Sequence, residues 1–103
     1  MSAVFDVPVT GYIVGAHFEV CCCTGSIYHH TASRGDGWLR DGHRIRTSDV
    51  IQVDRREELW TFRTQSGSFY VIATFERRTG RASLGVFLKI LKKGFHITSP
   101  RLQ

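Results

Sequence analysis

Two short stretches of this sequence decide its fold: Thr24-Gly25-Ser26-Ile27-Tyr28 and Ser66-Gly67-Ser68-Phe69-Tyr70. Each places a turn of small residues between two runs rich in strand-forming residues, which is the pattern of a β-hairpin. We therefore predict two hairpins, one with its loop at Thr24-Gly25 and the other with its loop at Ser66-Gly67. Because opposed residues in a hairpin share a face, each loop also assigns side chains to faces.

The second hairpin gives the clearest separation of faces. If the loop has two residues, Trp60, Phe62 and Phe69 lie on the same face, and that face is almost wholly apolar. The opposite face carries Arg63 and, directly across from it, Tyr70. We expect the apolar face to be the core, because a shift of one residue would expose its aromatic side chains.

The first hairpin assigns Ile27 to the core and Tyr28 to the opposite face. Its first strand lies in a run of β-forming residues, 12–23, in which Gly15 predicts a bulge. Farther along the chain, Thr47-Ser48-Asp49 predicts a kink between two short strands.

The hydrophobic period changes to that of a helix near the end of the chain. Apolar residues between Leu84 and Leu91 fall on one side of a helical wheel and lysines fall on the other. Ser83 fits an N-cap and Gly94 fits the position after the last turn. The expected fold is one α+β domain, residues 1–103. It has a strongly bent antiparallel sheet or small β-barrel of about five to seven strands and one C-terminal helix.

Composition narrows the class of protein and its partners. The 103 residues suffice for a core without disulfides or metal, and 14 Lys and Arg against 9 Asp and Glu give a formal charge of +5. This excess favours a polyanionic partner, either nucleic acid or an acidic protein surface. Without a long apolar run or a secretory signal, we expect a cytoplasmic protein with no membrane contact. The odd set Cys21-Cys22-Cys23 agrees with a reducing compartment.

The sheet face opposite the predicted core is the candidate binding surface. Tyr28 and Tyr70 occupy equivalent places in the two hairpins, and Arg63 lies beside Tyr70. Aromatic rings interleaved with arginine on an open sheet stack and neutralise single-stranded nucleic acid. Arg44 and Arg46 extend this patch if their strand is a neighbour. We expect a non-catalytic protein that binds a macromolecular partner here, nucleic acid being one candidate.

Two alternatives stay open. A protein-binding adaptor or inhibitor, acting as a homo-oligomer such as a homodimer, would use the same face, because Leu59 and Ile72 also fall on it. A small-molecule-binding or thiol-dependent enzyme would use Cys21, Cys23 and His30. The enzyme is less favoured because no known catalytic motif surrounds these residues. We expect no cofactor or metal, since a flat strand holds Cys21 and Cys23 about 7 Å apart with parallel side chains.

The stretch from Ile45 to Val50, followed by that from Thr64 to Tyr70, resembles a pattern in small bacterial orphan proteins. Such proteins are carried by phages, plasmids or integron gene cassettes, and most have no assigned function. The resemblance covers a limited part of the chain and consists of turn and strand signals. It implies a compact, β-rich accessory protein from a mobile element, and it carries no catalytic residue across.

Overall fold

Six strands and one helix are described in the computed structural model, within residues 8–31 and 41–92. In chain order they are β1 (Gly11–Glu19), β2 (Cys22–Tyr28), β3 (His43–Arg46), β4 (Val50–Arg56), β5 (Leu59–Thr64), β6 (Phe69–Ile72) and α1 (Gly80–Lys92). The strands form one sheet in the order β3-β2-β1-β6-β5-β4, with β1 and β6 parallel and the other neighbours antiparallel. The predicted α+β fold is confirmed, with a mixed, open sheet instead of a closed barrel.

The connection between β3 and β4 bends this sheet. The two strands lie at opposite edges, yet only residues 47–49 separate them. The edges of a flat six-stranded sheet would be roughly 24 Å apart. The chain from Arg46 to Val50 spans at most about 15 Å. The sheet must therefore curl until its edges approach. The kink predicted at Thr47-Ser48-Asp49 lies in this connection, and we call residues 47–49 the corner.

Backbone hydrogen bonds hold the corner from both sides. The N–H of Val50 donates to the carbonyl of Cys21 (2.7 Å), in the turn between β1 and β2. The N–H of Gln65 donates to the carbonyl of Asp49 (2.7 Å), from the turn between β5 and β6. The corner thus joins the two hairpin turns.

The first hairpin turns at a different place from the one predicted. β1 and β2 are joined by Val20 and Cys21, and Glu19 pairs with Cys22. The dipeptide Thr24-Gly25 lies inside β2, so the predicted loop is wrong. The sequence does not indicate the observed turn. The backbone at Val20 is left-handed (φ 57°), and a β-branched residue is not expected at such a position.

Gly25 serves close packing, not a turn. A Cβ added to it would lie 2.5 Å from Cγ2 of Ile13 in the neighbouring strand. The predicted faces of Ile27 and Tyr28 nevertheless hold, since Ile27 is fully buried and Tyr28 lies on the opposite side of the sheet. The bulge predicted at Gly15 is also confirmed, since the register shifts there and Gly15 has a φ of 70°.

The second hairpin has a loop of three residues where two were predicted. The N–H of Thr64 donates to the carbonyl of Ser68 (3.0 Å), which leaves residues 65–67 as the loop. Gly67, the last of them, has a φ of 93°. A three-residue loop that ends in a left-handed glycine is a common hairpin connection. Ser66 and Gly67 are therefore in the loop as predicted, but they do not form it alone.

The extra loop residue exchanges the faces of Phe69 and Tyr70. Arg63 pairs with Phe69, and Phe62 pairs with Tyr70. Tyr70 is 6% exposed, and its ring lies 5.4 Å from that of Phe62 between centroids. The prediction that Tyr70 faces outward and Phe69 inward is therefore wrong, and so is the outward position predicted for Ile72, which lies in the core. The shift exposes neither ring to solvent, because Phe69 is also buried (3% exposed) on the other face.

The helix packs on the sheet face that carries Tyr70. The buried residues of this core are Ile13, Ala16, Phe18, Cys23, Ile27, Val50, Phe62, Tyr70, Ile72, Leu84 and Phe87. The ring of Phe87 lies 5.1 Å from that of Phe18 in β1. Among the described residues no helix is long and apolar enough to cross a membrane.

The helix begins earlier than predicted. It starts at Gly80, so Ser83 is not its N-cap. The hydroxyl of Ser83 instead accepts a hydrogen bond from the N–H of Phe18 (2.9 Å), which ties the helix to β1. The carboxylate of Glu76 accepts the N–H groups of Arg78 and Thr79, in the turn just before the helix. The predicted glycine stop, Gly94, lies outside the described residues.

Gly25→Ala should lower the free energy of unfolding by about 1–3 kcal/mol, because the added methyl group overlaps Ile13. Gly85→Ala is the matched control. It lies in the exposed part of α1 with no atom within 4 Å of the added Cβ, and it should raise stability by about 0.5–1 kcal/mol. Urea denaturation followed by circular dichroism measures both. Similar effects of the two substitutions would contradict the close approach of β1 and β2.

Candidate nucleic-acid interface

The sheet face opposite α1, called the outer face from here on, carries two directly opposed tyrosines. Tyr12 in β1 pairs with Tyr28 in β2, and both are half-buried. The ring of Tyr12 also meets that of His29 edge to face, with centroids 6.0 Å apart. Two accessible rings on neighbouring strands form a surface on which bases can stack. We call Tyr12 and Tyr28 the tyrosine platform.

A shallow groove with a volume of about 530 Å³ runs along the tyrosine platform. Its lining residues come from four adjacent strands and from the positions just after β2 and β6: Tyr12, Val14, Tyr28, His29, Leu59, Val71 and Ala73. Most of these side chains are apolar. An apolar floor beside aromatic rings suits flat heteroaromatic groups such as unpaired bases.

Four arginines lie on the outer face, on both sides of the groove. Arg44 and Arg46 are on β3, the neighbour of the strand that carries Tyr28. Arg63 is on β5 and Arg56 on β4, beyond the other side of the groove. Positive charge beside aromatic side chains is the combination found in surfaces that bind single-stranded nucleic acid.

Phe69 holds two of these arginines in place. The guanidinium carbons of Arg56 and Arg63 lie 5.6 and 5.3 Å from the centroid of its ring. Contacts of this kind are attractive because the ring face is electron-rich. They keep two positive charges at defined positions on the outer face.

Arg46 is held by polar contacts instead. Its Nη2 donates to Oε1 of Glu19 (3.0 Å) and its Nη1 donates to Sγ of Cys22 (3.0 Å). The carboxylate of Glu19 partly neutralises this guanidinium. The exposed Arg44 is therefore the stronger source of positive charge on β3.

Four of the five predicted binding residues lie on the outer face: Tyr28, Arg44, Arg46 and Arg63. Tyr70 does not, because the three-residue loop turns it into the core. Its hydroxyl lies 3.4 Å from Nε2 of His30, and burial raises the pKa of Tyr70. Tyr70 therefore has to be removed from the predicted binding site.

Tyr12 is a candidate residue of this face that the sequence analysis did not identify. With a loop at Thr24-Gly25, Tyr28 would pair with Cys21. The observed turn pairs Tyr28 with Tyr12 instead. Tyr12 opens the run of β-forming residues that the sequence does reveal, so the missing signal was the position of the turn.

The three residues of the alternative thiol site have different surroundings. Cys23 is fully buried in the core, and its burial raises the pKa of the thiol to about 12. The thiol of Cys21 donates to Oδ1 of Asp49 (3.1 Å), and this bond, burial and the carboxylate charge raise its pKa. His30 contacts Tyr70. Within residues 8–31 and 41–92, no three His, Cys, Asp or Glu side chains are grouped to hold a metal ion.

No protein-family model, curated protein or solved structure matches this chain. The tyrosine platform, the apolar groove and the flanking arginines are the features that any function of this face must use.

Tyr70→Ala should lower the free energy of unfolding by about 3–5 kcal/mol, because it removes a buried ring. Tyr28→Ala, which removes a half-buried ring from the outer face, should cost about 1–2 kcal/mol. Tyr70→Phe, the control, should cost under about 1.5 kcal/mol since it keeps the ring. Chemical denaturation measures all three. A larger cost for Tyr28→Ala than for Tyr70→Ala would contradict the observed register.

Asp49→Asn should make Cys21 more reactive toward iodoacetamide. The carboxylate of Asp49 raises the pKa of Cys21, so a smaller fraction of this thiol is thiolate at neutral pH than in an ordinary cysteine. Removing the charge lowers that pKa and increases the thiolate fraction at a fixed neutral pH. Tandem mass spectrometry of the alkylated peptide measures the rate at Cys21. Asp54→Asn on β4 should leave it unchanged, and an unchanged rate in Asp49→Asn would contradict the contact.

Proposed function

We propose that this protein binds single-stranded nucleic acid on its outer face and catalyses no reaction there. The observation that carries the proposal is the direct pairing of Tyr12 with Tyr28, on a face where Arg44 and Arg63 flank the groove. Neither ring is needed for the core, which lies on the other side of the sheet. Both are half-buried, so part of each ring is accessible to a ligand.

The tyrosine platform supplies the contacts to bases. Stacking of a base on an aromatic side chain is worth about 1–3 kcal/mol, and every base has a face that can stack. The groove beside the platform adds apolar surface from Val14 and Leu59. Bases in a duplex already stack on one another, so the platform favours a single strand.

The arginines supply the contacts to phosphates. Arg44 on one side and Arg63 on the other are placed to meet the backbone of a strand whose bases lie in the groove. The chain as a whole carries a formal charge of +5, which attracts a polyanion from a distance. Its free thiols at Cys21, Cys22 and Cys23 suit a reducing compartment such as the cytosol.

Loss of the tyrosine rings should weaken binding of a single-stranded oligonucleotide. Each of Tyr12→Ala and Tyr28→Ala should reduce affinity at least about fivefold, because each removes one stacking contact. The matched controls Tyr12→Phe and Tyr28→Phe keep the rings and should bind within about twofold of wild type. Fluorescence anisotropy of a labelled oligonucleotide at low salt measures the affinity.

Salt dependence separates this proposal from binding of a protein partner. The double variant Arg44→Gln/Arg63→Gln should lower the slope of log affinity against log salt by about 1.4, since each phosphate contact on a single strand contributes about 0.7. Failure of the wild-type protein to bind single-stranded DNA or RNA at low salt would overturn the proposal. So would an affinity that does not change with salt, which would favour a protein ligand.

A further inference from the structure

A second group of arginines lies where the chain leaves the sheet. Arg77 and Arg78 lie in the turn between β6 and α1, Arg81 lies in the first turn of α1, and all three are exposed. The guanidinium of Arg81 lies over the ring of Phe75, 4.6 Å from its centroid. None of the ion pairs between described residues involves these three arginines. We call them the arginine cluster.

Glu76 lies beside the arginine cluster but does not cancel its charge. Its carboxylate accepts hydrogen bonds from the N–H groups of Thr79 (2.7 Å) and Arg78 (3.0 Å), and these bonds lower the pKa of Glu76. The carboxylate is therefore held in the turn just before α1. Three arginines and one ionised carboxylate leave a local charge of +2, so the arginine side chains are what an anion meets here.

The arginine cluster is continuous with the groove of the outer face. A cavity of about 720 Å³ beside it is lined by Val14, Gly15 and residues 74–78. A second cavity, of about 360 Å³, runs from Ala73 to Arg81. Val14 and Ala73 also line the groove that contains the tyrosine platform. A chain molecule on the platform can therefore reach the arginine cluster without leaving the protein surface.

We infer that the bound single strand runs from the tyrosine platform past Val14 and Ala73 to the arginine cluster, where its phosphates are bound. This inference rests on the proposed function and adds a second contact region to it. The segment from Ala73 to Arg78 spans at most about 17 Å, the length of roughly five stacked nucleotides at 3.4 Å each. With about two or three more nucleotides on the tyrosine platform, a strand of about eight nucleotides reaches both regions, whereas a mononucleotide or one flipped base does not.

The experiment compares oligothymidylates of about three and about ten nucleotides, because only the longer one spans both regions. In Arg77→Gln/Arg78→Gln, affinity for the longer oligonucleotide should fall at least about fivefold, and the salt slope should fall by about 1.4. Affinity for the shorter one should stay within about twofold of wild type. The control Arg55→Gln/Lys89→Gln removes the same charge elsewhere and should change neither affinity by more than about twofold.

The outcomes separate this inference from the proposed function. If the wild-type protein binds both oligonucleotides and Arg77→Gln/Arg78→Gln binds the longer one normally, the inferred path is wrong and the platform stands. If Arg55→Gln/Lys89→Gln weakens binding as much as Arg77→Gln/Arg78→Gln does, the effect is one of net charge and the path is again overturned. If the wild-type protein binds neither oligonucleotide at low salt, both proposals fail.

Discussion

Residues 47–49 connect two strands at opposite edges of a six-stranded sheet, and this short connection constrains the rest of the structure. It is too short to cross a flat sheet, so the sheet curls. The backbone of Asp49 and Val50 then ties the two hairpin turns together. The curl gives the sheet one face that α1 can cover and one outer face on which four adjacent strands line a groove. The candidate site is therefore a consequence of the corner, although no residue of the corner belongs to it.

The sequence predicts the kinds of elements here better than their register. The α+β class, the bulge at Gly15 and the kink at residues 47–49 follow from local signals that have one structural meaning. A glycine beside serine or threonine, in contrast, is compatible with several local structures. Gly25 allows two strands to pack closely, whereas Gly67 ends a three-residue loop. Because a shift of one residue reverses the faces of a strand, this ambiguity misplaced Phe69 and Tyr70 while leaving Tyr28 correct.

The proposed binding surface depends on contacts between distant parts of the chain. Tyr12 reaches Tyr28 only because the turn lies at Val20 and Cys21, where a strained backbone gives no turn signal. The parallel pairing of β1 with β6 then carries the groove onward, toward the turn in which the arginine cluster begins. Composition indicates an excess of positive charge, but it does not place that charge. The fold concentrates it on both sides of the tyrosine platform and at the start of α1.

The most direct test is an NMR titration of the isotope-labelled protein with a single-stranded oligonucleotide at low salt. We expect the largest shift changes in the aromatic resonances of Tyr12 and Tyr28 and in the backbone amide of Val14, with smaller changes at the arginine cluster. Resonances of Val86 and Ile90 on α1 should not move, because that surface lies on the other side of the sheet. Shift changes centred on α1, or no changes at any residue, would contradict binding at the outer face.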